Sequence, residues 1–537
     1  MALPGALTAA APVVSVRGLW KRYGRRDAVR GVDLKVARGE IYGLIGPDGA
    51  GKSSLLHAIA GVLAFDAGEV DVFGVAIDSE RAAEAIKDRV GLMPQGLGLN
   101  LYPDLSVEEN VDFFARLRLV PDADLAPRKA RLLALTRLDR FRDRPMRQLS
   151  GGMKQKLALV CTLVHEPELV ILDEPTTGVD PLSRRAFWVL VADLLRGGRT
   201  TAIVSTAYME EASRFDRVSL MFDGRIVAEG EPAAIEAQTG APTFEDAFVA
   251  ILHRLELAER PPVRMPPAPP VRRESAGGVE IEAVHLSRAF GRFVAVDDVS
   301  FQVRRGEIFG LVGANGAGKS CIIRMLTGIL TPTSGTGRIG GVDVRAARRA
   351  VKQRIGYMSQ AFSLYRDLTV AENIRLYAGI YGLDRSETER RLEWILEMAG
   401  LGGREDMRAE KLPVGLRQRL ALGCALVHRP EVLFLDEPTS GVDPIGRRLF
   451  WDILLHLTRV DGAALLFTTH YMSETERCDR LGLMHAGRLI ADAPPDELKR
   501  AVAAEAGLPS PPSMEDAFVR RIAALEAREH GASGAAA

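Results

Sequence analysis

The chain writes one sequence twice. EIYGLIGPDGAGKSS (40–54) reappears as EIFGLVGANGAGKSC (307–321), and LVILDEPTTGVDP (169–181) as VLFLDEPTSGVDP (432–444). The order between these strings is kept. Lys52 corresponds to Lys319 at an offset of 267, Gln95 to Gln360 at 265 and Asp173 to Asp436 at 263. The copies also end alike, FEDAFV (244–249) matching MEDAFV (514–519). Internal repetition on this scale predicts two domains of one fold, of the size of ordinary globular domains. The boundaries expected are a disordered lead-in over 1–12, a first domain over 13–255, a linker over 256–278, a second domain over 279–527 and a disordered tail over 528–537. The linker RPPVRMPPAPPVRRESAGG (260–278) is proline-rich, which removes backbone donors and favours extended polyproline II. At ~3.1 Å per residue it reaches about 55 Å, enough to pass a globule of this size.

Composition excludes several classes. Lys and Arg total 70, as do Asp and Glu, so the whole chain is no electrostatic magnet for nucleic acid or acidic lipid. The apolar runs 157–164 and 169–172 are broken by His165, Glu166, Pro167 and Glu168, well short of the ~20 residues of a membrane helix. The apolar start has no basic residue before Arg17 and is interrupted by Pro4 and Pro12, unlike a signal peptide. Cys161, Cys321, Cys424 and Cys478 are scattered, with no C-x-x-C pair, which argues against a zinc site or disulfide framework and fits a reducing cytoplasm.

In each copy an apolar run, Ile41 to Ile45 or Ile308 to Val312, enters a glycine-rich loop and then a helix-compatible stretch, the context of a phosphate-binding P-loop. Gly46, Gly49 and Gly51, and Gly313, Gly316 and Gly318, let successive N–H groups turn inward toward phosphate oxygens at a helix N-terminus. Lys52 and Lys319 are expected to reach the β/γ-phosphates of ATP, and Ser53 and Ser320 to ligate Mg²⁺. Asp48, Ala50 and Ser54, with Asn315, Ala317 and Cys321, complete the nucleotide-contacting loops. Residues 169–172 and 433–435 read as buried parallel strands ending in Asp-Glu-Pro, so their carboxylates lie at strand carboxyl ends, where open α/β sheets bind ligands. Asp173 and Asp436 suit Mg²⁺; Glu174 and Glu437 suit polarising the attacking water.

LSGGM (149–153), 20 residues before the first of these strands, joins the P-loops in a chain that resembles a tandem ATP-binding-cassette (ABC) ATPase. The motifs follow in that family's order: an adenine-stacking aromatic (Tyr23; Phe290), the P-loop, a glutamine (Gln95; Gln360) that also reaches Mg²⁺, the signature (Ser150, Gly151, Gly152; Pro413, Val414, Gly415), the carboxylates, the D-loop aspartate (Asp180; Asp443) and the switch position (Ala207; His470). The resemblance implies an α/β fold: two P-loop NTPase ABC nucleotide-binding domains in tandem, each a mostly parallel core sheet with an antiparallel β subdomain and an α-helical subdomain. TVAEN, GVDP, YMEEA and YMSET are similar to strings of fused ATPase subunits of bacterial multidrug-efflux exporters. Such subunits work with two separate transmembrane permeases, as a homo- or heterodimer, often with a periplasmic adaptor, and lie peripherally on the cytoplasmic side of the inner membrane. No nucleic acid partner is expected. The other readings that the resemblance leaves are a soluble tandem ABC ATPase on ribosomes and the tandem ATPase of an importer.

In that family each ATP lies between the P-loop of one cassette and the signature of the other. Two departures then fall on one site: Ala207 replaces the switch histidine of the first copy, and LPVGL (412–416) replaces the second signature. Pro413 lacks both a hydroxyl and an N–H, and branched Val414 obstructs approach to phosphate. Lys319, Glu437, His470 and the first signature form the complete set. Cys321, opposite Ser54, is a milder departure, since a thiol is a weak donor. Leu97, Leu99, Tyr102, Phe362, Leu364 and Tyr365 are candidate permease contacts, and RKARLLALTRLDRFRDR (128–144), with Leu132, Leu135 and Leu138 at helical intervals, is expected as an amphipathic helix with a solvated basic face.

Overall fold

The computed structural model describes residues 12–96, 100–195, 200–255, 278–346, 348–359, 364–469 and 471–534. Leu97, Leu99, Gln360, Phe362 and His470, the lead-in 1–11 and the linker 256–277 lie outside the described residues. The chain divides into two compact units.

Both units build the same two sheets. In the first, a six-stranded sheet runs in the order Arg225–Gly230, Arg217–Phe222, Ile41–Ile45, Thr201–Thr206, Leu169–Asp173, Val90–Met93. Only the pair at the Arg225–Gly230 edge is antiparallel. The second repeats it as Arg488–Ala493, Arg480–His485, Ile308–Gly313, Ala464–Thr469, Val432–Asp436, Ile355–Met358. Leu169–Asp173 and Val432–Asp436 are buried at every residue, as their unbroken apolar runs require of strands covered on both faces. A separate antiparallel sheet is led in each unit by a long hairpin, Val14–Tyr23 with Arg26–Val36, and Val279–Phe290 with Phe293–Arg304. Val32, Leu34 and Val36 are buried while Asp33 and Lys35 face solvent, the alternation of a sheet with one wet face.

The third layer is helical: Val107–Leu117, Asp122–Thr136 and Gly151–Leu163, echoed by Val370–Ile380, Arg385–Ala399 and Val414–Leu426. Ser106 with Glu109, and Thr369 with Glu372, form capping boxes that start the first helix of each trio. One turn on, the fully buried Asn110 accepts from Tyr102 N–H (2.9 Å) and donates to the carbonyls of Tyr102, Leu105 and Ser106. Asn373 does the same for Tyr365, Leu368 and Thr369. The asparagine of SVEEN and TVAEN thus fastens the preceding loop to its helix.

Three sequence expectations are corrected. The 128–144 stretch is not one helix: its start closes the helix Asp122–Thr136, which stops where Arg137 turns left-handed (φ 59°), and Asp139–Phe141 forms a separate short turn. The buried stripe is Leu125, Leu132, Leu133 and Thr136, leaving Leu135 exposed and Leu138 buried beyond the helix end. Leu364 is buried in the second unit's core rather than offered to a partner, whereas Tyr102 and Tyr365 are about half exposed. The last helix, Met514–Gly534, runs past residue 527 because AALEAREH is rich in helix formers; 535–537 lie outside the described residues. No helix among the described residues is long and apolar enough to cross a membrane.

Removing the Asn373 side chain strands one N–H and three carbonyls of a half-buried loop. Asn373→Ala is expected to cost about 2–3 kcal/mol and to lower one calorimetric transition of the full chain by about 5 °C or more. An unshifted transition would mean the loop finds other donors.

Candidate functional site

Each P-loop is a turn forced by contact. Gly51 and Gly318 cap the following helices, Lys52–Ile59 and Lys319–Leu326, at φ 103° and 102°. A Cβ there would lie 2.1 Å from the Ala28 carbonyl oxygen or 2.5 Å from that of Ala295, so only glycine fits. The lysine that follows is drawn back over the loop. Lys52 Nζ donates to the carbonyls of Gly46 (2.8 Å) and Pro47 (3.0 Å), and Lys319 Nζ to those of Gly313 (2.7 Å) and Ala314 (3.0 Å). Burial depresses the Lys319 ammonium's pKa, with Glu437 and Asp436 opposing the shift.

The carboxylates come from the adjacent strand pair. Register sets Asp173 opposite Ser205 and Asp436 opposite Thr468. Ser205 Oγ donates to Asp173 Oδ1 (2.5 Å) and accepts from Glu174 N–H (2.9 Å). Thr468 Oγ1 repeats both bonds, to Asp436 Oδ1 (2.7 Å) and from Glu437 N–H (3.0 Å). One hydroxyl thereby orients the aspartate and pins the next residue. Glu174 and Glu437 adopt left-handed φ of 47° and 51°, a conformation that costs a non-glycine residue roughly 1–3 kcal/mol.

The chemistry fits a hydrated Mg²⁺. Ser320 Oγ lies 3.3 Å from Asp436 Oδ1, joining the two residues expected to share the ion. Asp173 Oδ2 is buried without a hydrogen-bond partner among the described residues. A hydroxyl and a carboxylate are the hard oxygen donors that Mg²⁺ takes together with substrate phosphates.

The first unit gathers a tighter cluster than the motifs alone suggested. Lys52 Nζ pairs with Glu174 Oε1 at 2.8 Å, both side chains 3% exposed. Gln95 Nε2 (2.7 Å) and Thr177 Oγ1 (3.0 Å) donate to Glu174 Oε2. Asp48 stands beside them: exposed as a residue, it turns its carboxyl onto Glu174. Burial of that carboxyl, then the Glu174 charge, raise its pKa from the ordinary 3.8 to about 6 against the pull of Lys52. The second P-loop has neutral Asn315 at this place.

The signature helices differ at their first residue. Ser150 caps Gly151–Leu163 and accepts from Met153 N–H (3.3 Å), with Gly151 and Gly152 opening the helix. Pro413 precedes Val414–Leu426 and supplies no side-chain cap; Val414 and Gly415 follow it. Asp443 caps Pro444–Arg459 through Gly446 N–H (2.9 Å), and Asp180 is buried just before Pro181–Leu195. Tyr23 is half exposed, its hydroxyl 3.5 Å from Ser54 Oγ, beside the P-loop helix; Phe290 is 46% exposed under the Arg288 guanidinium. Gly46, Gly49, Ala50 and Ser53, with Gly316 and Ala317, lie on the same loops and helix starts, and Cys321 is half-buried with its thiol free. Ala207 follows the strand Thr201–Thr206.

A pair of P-loops, each backed by a strand-end Asp-Glu on a mostly parallel sheet, defines two ATPase domains in one chain. The sequence profile described as ABC transporter matches residues 29–177 and 296–440. The chain is 39% identical to the "Probable multidrug ABC transporter ATP-binding protein YbhF" of Escherichia coli (strain K12), over 95% of this chain and 98% of that protein. It is 40% identical to the "Nod factor export ATP-binding protein I" of Sinorhizobium fredii over 42% of this chain and 65% of that one. With the "Daunorubicin resistance ATP-binding protein DrrA3" of Streptomyces coeruleorubidus it shares 40% identity over 43% of this chain and 72% of that one. The chain belongs to the ABC transporter family, as a fused pair of its ATPase domains.

The raised Asp48 pKa has a sign. Between about pH 4 and 6 the folded chain keeps a proton that the unfolded chain has released, so the group's contribution to stability falls as pH rises through that window. Asp48→Asn is expected to raise the unfolding temperature more at about pH 8 than at about pH 5. Equal gains at both would contradict the burden assigned to this carboxylate.

Proposed function

We propose that this chain is the ATP-hydrolysing subunit of an exporter for drugs or other amphipathic compounds, working through two separate transmembrane permeases from the cytoplasmic face of the membrane. The names of the relatives above, multidrug, Nod factor export and daunorubicin resistance, support the class of cargo and the direction. Two ATP·Mg²⁺ sites follow from the two P-loops, with Lys52, Ser53, Gln95 and Asp173 serving one and Lys319, Ser320, Gln360 and Asp436 the other. Glu174 and Glu437 stand as candidate bases for the attacking water, and His470 as the switch residue.

The sites are proposed to be unequal. The observation that carries this is the contrast between Ser150, which caps its helix and presents a hydroxyl, and Pro413, which does neither. In the pairing that the family resemblance implies, Pro413, Val414 and Ala207 all belong to the site of Lys52, which binds ATP while the site of Lys319 hydrolyses it. Losing one positioned donor to transition-state charge costs ~10²–10³ in rate. For the permease contact, Tyr102 packs edge-on to Phe113 (4.5 Å) beside a cleft of about 520 Å³ lined by Leu105, Phe113 and Leu117.

Steady-state ATPase assays separate the sites. Glu437→Gln is expected to lower kcat by about 100-fold or more, and Glu174→Gln by less than about threefold. Comparable losses would sink the asymmetry. Affinity purification of the Glu437→Gln chain from detergent-solubilised membranes is expected to recover polytopic permeases; recovery of ribosomes without them would overturn the transporter reading.

A further inference from the structure

A buried glutamate to which no role has been given so far follows each switch position by four residues. Glu211 and Glu474 are both 2% exposed. Burying a carboxyl is costly unless donors surround it. Glu211 Oε2 accepts from Thr206 Oγ1 (2.7 Å), and Oε1 from Trp188 Nε1 (2.7 Å) and Thr176 Oγ1 (2.8 Å). Glu474 Oε2 accepts from Thr469 Oγ1 (2.6 Å), and Oε1 from Trp451 Nε1 (3.1 Å).

These partners lie on the segments that flank the proposed site. Trp188 and Trp451 lie on the helices that follow the D-loop aspartates, and Thr176 on the loop just beyond the strand carboxylates. Thr206 and Thr469 end the strands that lead into Ala207 and His470. Each threonine hydroxyl works twice: having donated to the glutamate, it accepts from the N–H two residues on, Tyr208 (3.0 Å) or Tyr471 (2.9 Å). The backbone on both sides of the switch position is therefore tied to one carboxyl, which is tied in turn to the D-loop helix. Arg184 and Arg447, on the same helices, stack their guanidinium groups over the Tyr208 and Tyr471 rings at 4.6 and 4.1 Å. The frame is complete around Ala207, so it exists whether or not the position carries an imidazole.

We infer that Glu474 is a positioning residue for ATP hydrolysis, holding the switch position in register with the D-loop helix, and that Glu211 is its counterpart in the first unit. The inference rests on the proposed roles of Glu437 and His470. It implies that Glu474 acts on turnover and not on nucleotide affinity, since the P-loop bonds of Lys319 do not involve it.

The test uses the full chain. Glu474→Gln keeps shape and volume but removes the charge that faces Arg447 Nε at 4.0 Å and sets an amide N–H₂ against one of the two hydrogen-bond donors, and is expected to lower kcat about 10- to 100-fold with KM for ATP and the Kd of a fluorescent ATP analogue little changed. Thr469→Val, nearly isosteric, should reproduce that kcat loss, and Thr469→Ser should restore it. Adding Thr469→Val to Glu474→Gln should cost little more, because both break one link. Unchanged kcat in Glu474→Gln, or a loss in Thr469→Val that Thr469→Ser does not recover, overturns the inference. So does a kcat loss that merely tracks a fall in folded fraction measured by calorimetry. Failure of the unequal-site reading is told apart by the Glu174→Gln and Glu437→Gln assays: equal losses in those two variants reject the unequal sites and leave the clamp around Glu474 standing.

Discussion

A single hydroxyl on the neighbouring strand governs the geometry of each phosphate site. Ser205 and Thr468 face the strand-end aspartate across the sheet, donate to its carboxylate and receive the next N–H. The first bond leaves the other aspartate oxygen available; the second holds a glutamate in a left-handed turn that its side chain would not choose. Because these strands are buried throughout, the hydroxyl has no competing water, and a weak bond becomes a firm one. P-loop, aspartate and glutamate can converge only because the sheet delivers three adjacent strand ends with this register.

The two units differ in charge at one place on the P-loop, Asp48 in the first and Asn315 in the second. In the first, a lysine, an amide, a hydroxyl and a second carboxyl all gather on Glu174. Replacing Asp48 by the equivalent of Asn315 removes a charge but not the loop's shape, so the difference between the loops is one of charge at constant geometry.

What could be read from the sequence was local. The P-loop strands, the Asp-Glu strand ends and the repeat need only neighbours along the chain, and the sheets contain them at the expected places. The Asp48 carboxyl pair, the Gln95 bond and the tryptophan bonds of Glu211 and Glu474 need residues tens to more than a hundred positions apart to meet, which spacing cannot convey. A faint signal existed: Thr206 with Glu211 and Thr469 with Glu474 share one interval in both copies. The errors were also local in origin. Leucines at helical intervals over 128–144 hid a left-handed Arg137, and Leu364, apolar beside a turn, was consumed by the core instead of being shown to a partner.

Writing the fold twice in one chain has a consequence for what can change. In a pair of identical chains every substitution appears in both partners, so a proline at the start of one signature helix is a proline at the start of both. Here Ser150 and Pro413 occupy the same place in two copies of the same architecture, as do Asp48 and Asn315, and Ala207 and His470. Covalent tandem repetition frees each copy to keep or lose a group alone, and symmetry of the backbone no longer obliges symmetry of the chemistry.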